Sequence, residues 1–74
     1  MDYKKILEII ESELKKKNRV LIDTNSINKI AGNLNLSRYH MDRIKYIIIE
    51  KYLNNKEYNI IMLSRSKYLI EKKN

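Results

Sequence analysis

Between residues 38 and 46 the chain sets Arg38, Tyr39, Asp42, Arg43 and Tyr46 around Met41 and Ile44, two apolar residues at helical spacing. Two arginines and two tyrosines this close supply a definite chemistry. A guanidinium grips a phosphate, or the O6 and N7 edge of guanine, through two parallel N–H donors. A tyrosine stacks on a sugar, donates to a phosphate or touches a thymine methyl. Asp42 repels phosphate, yet a carboxylate in that position also accepts from a cytosine amino group or orients an arginine. A second basic pair, Arg65 and Lys67, stands in the polar stretch Ser64-Arg65-Ser66-Lys67. Ser26 and Lys29 open another helical pattern, where free backbone N–H groups attract anions.

Catalytic chemistries lack their residues. With no Cys, a single His, no Gly-rich phosphate loop and no paired acids at metal-ligand spacing, no nucleophile or acid–base constellation is visible. No enzyme, cofactor, metal or small-molecule ligand is therefore expected. His40 lies toward the core flank of its helix, which suits packing or a backbone contact rather than metal ligation. Sixteen Lys and Arg against nine Asp and Glu leave a formal charge of +7, which favours a polyanionic partner. The wealth of Ile, Lys, Asn and Tyr also fits an AT-rich coding sequence, so charge by itself does not carry the argument.

At 74 residues, 43% apolar and 34% charged, the chain suits one small domain spanning 1–74. The longest apolar runs are four residues, Tyr46 to Ile49 and Ile60 to Leu63. A membrane span needs about 20, so neither a span nor a signal peptide is expected, and a cytoplasmic location is.

The elements that must hold these side chains are read from periodicity, because Pro is absent and Gly32 is the only glycine. Tyr3, Ile6, Leu7, Ile10 and Leu14 form one stripe of a helix over 3–17, capped by Asp2, with Glu11 and Glu13 four residues before Lys15 and Lys17. Asn18 interrupts it, and 19–23 reads as a brief strand. Ser26 is the expected cap of a second helix that buries Ile27, Ile30, Ala31 and Leu34 and stops at Asn35. Ser37 caps a third and longest helix, with Met41, Ile44, Ile48 and Tyr52 at helical spacing to about Asn54-Asn55. Tyr58 to Leu63 and Tyr68 to Lys72 are β-rich segments joined by the Ser64 to Lys67 link.

Within 26–44 the apolar positions suit two short helices packed across a tight turn: a small Ala31, then Leu34 and Leu36 bracketing Asn35, then Met41 and Ile44. This segment resembles the helix-turn-helix motif. With the flanking strand and the C-terminal hairpin, the chain resembles the winged helix-turn-helix family, of the small regulator type found in archaea, their viruses or plasmids. Asn35 stands where that family usually has Gly, a mild departure because Asn tolerates positive φ. The resemblance implies an α+β, mostly helical fold in the order helix, short strand, helix, helix, C-terminal β-hairpin wing.

It also implies double-stranded DNA as partner, with the third helix (about 38–54) in the major groove and the 64–67 wing beside it. On a helical wheel Tyr39, Arg43, Tyr46 and Glu50 lie opposite the apolar line, flanked by Asp42, with Arg38 nearer the core flank. The candidate DNA-binding residues are Ser26, Lys29, Ser37, Arg38, Tyr39, Asp42, Arg43, Tyr46, Arg65 and Lys67, with Arg43 the leading base reader. Transcriptional regulation beside the nucleoid is the first expectation. A nucleoid or DNA-segregation protein and a protein-docking winged helix are the alternatives, the latter kept open by the apolar ridge Tyr46, Ile49 and Leu53. Apolar surface left over on that ridge and on the hairpin, in a domain too small to gain much from one core, leads to the expectation of a homodimer.

Overall fold

In the computed structural model, which describes residues 1–74, the Lys5 N–H donates to the Asp2 carboxylate at 3.1 Å and starts α1 (Tyr3–Lys17). The helix ends at Asn18, whose φ of 62° is left-handed and whose N–H donates to the Leu14 carbonyl at 2.8 Å. Ile6, Ile10 and Leu14 are buried, and Tyr3 and Leu7 pack against them at the margin. Lys17 pairs with Glu13 at 2.8 Å as expected. Glu11 instead meets Lys51, forty residues away in sequence, and so ties α1 to a later helix.

The chain then forms β1 (Arg19–Ile22), one residue shorter than its β-rich run, because Asp23 has another task. Its carboxylate accepts the Ser26 N–H at 2.7 Å and caps α2 (Thr24–Ala31). Ser26 is therefore inside the first turn and is not the cap. Burial opposes the Asp23 carboxylate, but hydrogen bonds from Ser26 and the charges of Lys67 and Lys29 outweigh it and hold its pKa below the usual 3.8. A depressed acid stabilises the fold above its unfolded pKa, and that contribution is lost as pH falls through the folded value. Asp23→Ala should thus cost about 1 kcal/mol at neutral pH and less in acid, where the carboxyl becomes protonated, a difference measurable by urea unfolding at neutral and acidic pH.

Helix α2 also stops earlier than Asn35. Gly32, with φ 88° and ψ 170°, takes a conformation that L side chains rarely adopt and ends the helix at Ala31. Asn35 does turn the chain with a φ of 49°, but inside the connection rather than at the helix end. Ala31 and Leu34 line a small apolar cleft with Met1, Ile6 and Ile9, and α2 packs more closely on α1 than on the third helix.

α3 (Arg38–Tyr52) buries Met41, Ile44, Ile48 and Tyr52. It is followed by β2 (Tyr58–Ser64) and β3 (Lys67–Lys72). The loop of this hairpin is Arg65-Ser66 alone, two residues shorter than the polar link suggests. Neither residue has positive φ, so the turn cannot supply the twist of a primed hairpin turn, and the register slips between Met62 and Ser64 to leave Leu63 as a bulge.

All three strands join one antiparallel sheet in the order β1, β3, β2, with Val20 opposite Ile70 and Ile60 opposite Ile70 from the other side. The fold is α+β, in the expected order helix, strand, helix, helix, hairpin. One core gathers residues from all three helices, with Val20, Ile22 and Ile70 from the sheet. Leu69 is buried on the opposite sheet face, between Leu21 and Ile61 in the register. No helix is long and apolar enough to cross a membrane.

Candidate nucleic-acid interface

The first turn of α3 is fixed by a reciprocal cap. The His40 N–H donates to Ser37 Oγ at 3.2 Å, and the Ser37 N–H donates to His40 Nδ1 at 3.2 Å. The His40 ring also lies edge-on to Tyr3 at 6.4 Å between centroids, which ties this end of α3 to α1. His40 thus works as a cap and a packing residue. Ser37, expected to face DNA, has its hydroxyl oxygen committed to the cap and serves by fixing Arg38 and Tyr39 in place.

With the apolar line of α3 turned into the core, the opposite side is open. Tyr39 is 70% exposed and Tyr46 61%, and Asp42, Arg43 and Glu50 are exposed beside them. These are the residues that wheel geometry places outward. Arg43 forms no ion pair with Asp42 or Glu50; the ion pairs within the chain are Lys17 with Glu13, Lys51 with Glu11 and Lys67 with Asp23. Its guanidinium is consequently free for a ligand.

On the flank facing the hairpin, Arg38, Met41, Asp42 and Lys45 of α3 meet Thr24 at the start of α2 and Arg65 and Ser66 at the hairpin tip. They enclose an open groove of about 330 Å³. Arg38, Lys45 and Arg65 bring three cations to it against the single Asp42, and none of the three is ion-paired. The Lys45 ammonium also sits 5.9 Å from the centroid of the Tyr68 ring, a cation–π contact that holds it over the sheet. Lys45 is absent from the sequence-derived candidates. Its signal was the spacing of seven residues from Arg38 and three from Asp42, which puts all three on one flank of a helix.

Two of the other candidates lie apart. Ser26 is half-buried, its N–H already satisfied by Asp23, and with Lys29 it lines a separate hollow beside Glu13, Lys17 and Leu21. The start of α2 carries the Asp23 carboxylate, which occupies the position an anion would take. Lys67 is half-exposed, and its ammonium is 3.8 Å from Asp23 Oδ2, so it is turned toward α2 rather than offered freely from the hairpin. Arg65 is the unencumbered cation of the hairpin tip.

The chain has a second basic hollow at its other end, where Lys17, Arg19 and Lys72 surround Glu71. It holds no aromatic residue and presents no helix face. The α3 side alone combines free cations, exposed tyrosines and a rigid helix. Compared with family models, with curated proteins and with solved structures, the chain matches none of them.

Proposed function

We propose that this chain is a winged helix-turn-helix protein that binds double-stranded DNA selectively and regulates transcription as a homodimer, in the cytoplasm beside the nucleoid. The major groove, about 12 Å wide, admits an α-helix, and the outer side of α3 offers Arg43 for base edges with Tyr39 and Tyr46 for sugars and methyl groups. Arg38, Lys45 and Arg65 serve the adjacent phosphates. The observation that carries this reading is the continuity of the two surfaces: a groove with three unpaired cations borders a helix face bearing a free arginine between two exposed tyrosines.

Acids on the same face, Asp42 and Glu50, weigh against a purely electrostatic coat, since each repels phosphate without a base partner. A gel-shift titration against random and genomic duplexes at two salt concentrations tests the proposal. Selective binding whose affinity falls with a log–log slope of about −0.9 per neutralised phosphate is the expected result. Equal affinity for every duplex would turn the reading to a nucleoid coat, and absence of binding at low salt would remove DNA as the partner.

A further inference from the structure

The backbone of β2 is open on one side. Register and hydrogen bonds alternate consistently across the sheet: the Lys73 N–H donates to the Glu57 carbonyl and the Lys72 N–H to the Asn18 carbonyl, each at 2.8 Å. Residues 57, 59 and 61 therefore bond β3, and Tyr58, Ile60 and Met62 turn their N–H and C=O groups away from the sheet. The Tyr58 N–H is taken by the Asn55 side chain at 3.0 Å. The N–H and C=O groups of Ile60 and Met62 have no partner in the chain.

Edge strands are ordinarily protected by charge, by Pro or by a cover. From Tyr58 to Ser64, β2 has no charged residue and no Pro, and Ile61, Met62 and Leu63 are exposed. The other edge, β1, has four residues, begins with Arg19 and lies against α1 and α2, whereas β2 packs against α3. In a chain of charge +7, the β2 edge is the uncharged strand along which two copies approach with least repulsion.

We infer that two copies pair their β2 strands antiparallel about a two-fold axis at Ile61, joining two three-stranded sheets into one. This register is selected by the free groups themselves. It sets Ile60 of each copy against Met62 of the other, so that about four hydrogen bonds satisfy every open N–H and C=O of those two residues. A register centred on Ile60 would instead need the Tyr58 N–H that Asn55 already holds. The Ile61 side chains meet across the axis, and Glu57 is carried toward the Arg65 end of the partner strand at both ends.

The axis stands perpendicular to the sheet, so both α3 helices remain on the same side of it, available together to a two-fold symmetric duplex. A stable interface needs about 800 Å² from each partner, roughly 15% of the 5383 Å² surface, so side chains flanking the strand, Met62 foremost, must be covered as well. The inference rests on the homodimer in the proposed function and is independent of DNA as ligand.

Sedimentation equilibrium of the full chain, with amide hydrogen exchange, tests it. The wild type should be dimeric at tens of micromolar, with the Ile60 and Met62 amides protected. Met62→Lys, at a position 66% exposed and so harmless to the fold, should raise the dimer dissociation constant by about tenfold or more and release both amides. Ile61→Lys should act alike. A wild-type monomer at about 100 μM overturns the inference. So does a dimer that both lysine variants leave intact with those amides exchanging freely. A monomer that still binds duplex overturns this pairing and leaves the DNA reading standing, whereas a dimer that ignores duplex does the reverse.

Discussion

Arg43→Ala should weaken binding to the preferred duplex by about 1–3 kcal/mol, roughly 5- to 150-fold, and bring preferred and random sequences closer in affinity. Arg43 is exposed on the side of α3 opposite Ile44 and Ile48, and no carboxylate claims its guanidinium, so its donors are available to a ligand. Lys45→Ala and Arg65→Ala should behave differently. Each removes a cation from the groove, so each should weaken all duplexes about equally and lower the salt slope by about 0.9. Lys67→Ala should have a smaller effect on DNA than Arg65→Ala, because Lys67 is turned toward Asp23. If Arg43→Ala and Arg65→Ala proved indistinguishable across sequences, Arg43 would be a phosphate contact and the specificity would lie elsewhere.

Ile44→Ala should be among the most damaging single substitutions in α3. Ile44 is 1% exposed, and truncating a buried aliphatic of this size costs about 2–5 kcal/mol through lost transfer energy and the cavity left behind. A domain of this size gains only about 3–5 kcal/mol from its single core. One truncation therefore consumes most of the margin. The circular-dichroism melting point should fall by about 10–30 °C, or the cooperative transition should vanish at 25 °C. Leu53→Ala, at the C-cap of α3 and 63% exposed, should stay within about 0.5 kcal/mol of wild type. A loss below about 1 kcal/mol for Ile44→Ala would mean that α3 is not anchored where its apolar line places it.

Local chemistry decides which parts of this architecture are legible in the amino-acid order. The limits of α1 follow from a carboxylate at Asp2 and a left-handed Asn18, both acting within one turn. Ser37 likewise announces α3. The start of α2 is harder, because Asp23 and Ser26 are both good caps three residues apart, and the choice falls to the pairing of Ile22 with Tyr68 in the sheet. The end of α2 presents the same ambiguity: Gly32 and Asn35 both adopt positive φ, and the first one reached stops the helix.

The candidate site divides along a similar line. Outward residues of α3 come from the wheel, since a buried stripe determines its opposite. The groove does not, because Thr24, Lys45 and Arg65 come from three elements whose meeting depends on β1 and β3 pairing across the chain. The redirection of Lys67 to Asp23 and the tie between Glu11 and Lys51 are long-range facts of the same kind. The ridge of Tyr46, Ile49 and Leu53 is covered only at Ile49, which is half-buried, while its two neighbours stay open.

The most direct measurement is a titration of ¹⁵N-labelled protein with duplex DNA, following each backbone amide by NMR. Binding through α3 and the wing should shift the amides of Arg38, Tyr39, Arg43, Lys45, Tyr46, Arg65 and Ser66, and leave those of Lys17, Arg19 and Lys72 in place. Shifts confined to that second basic end, with α3 silent, would contradict the account.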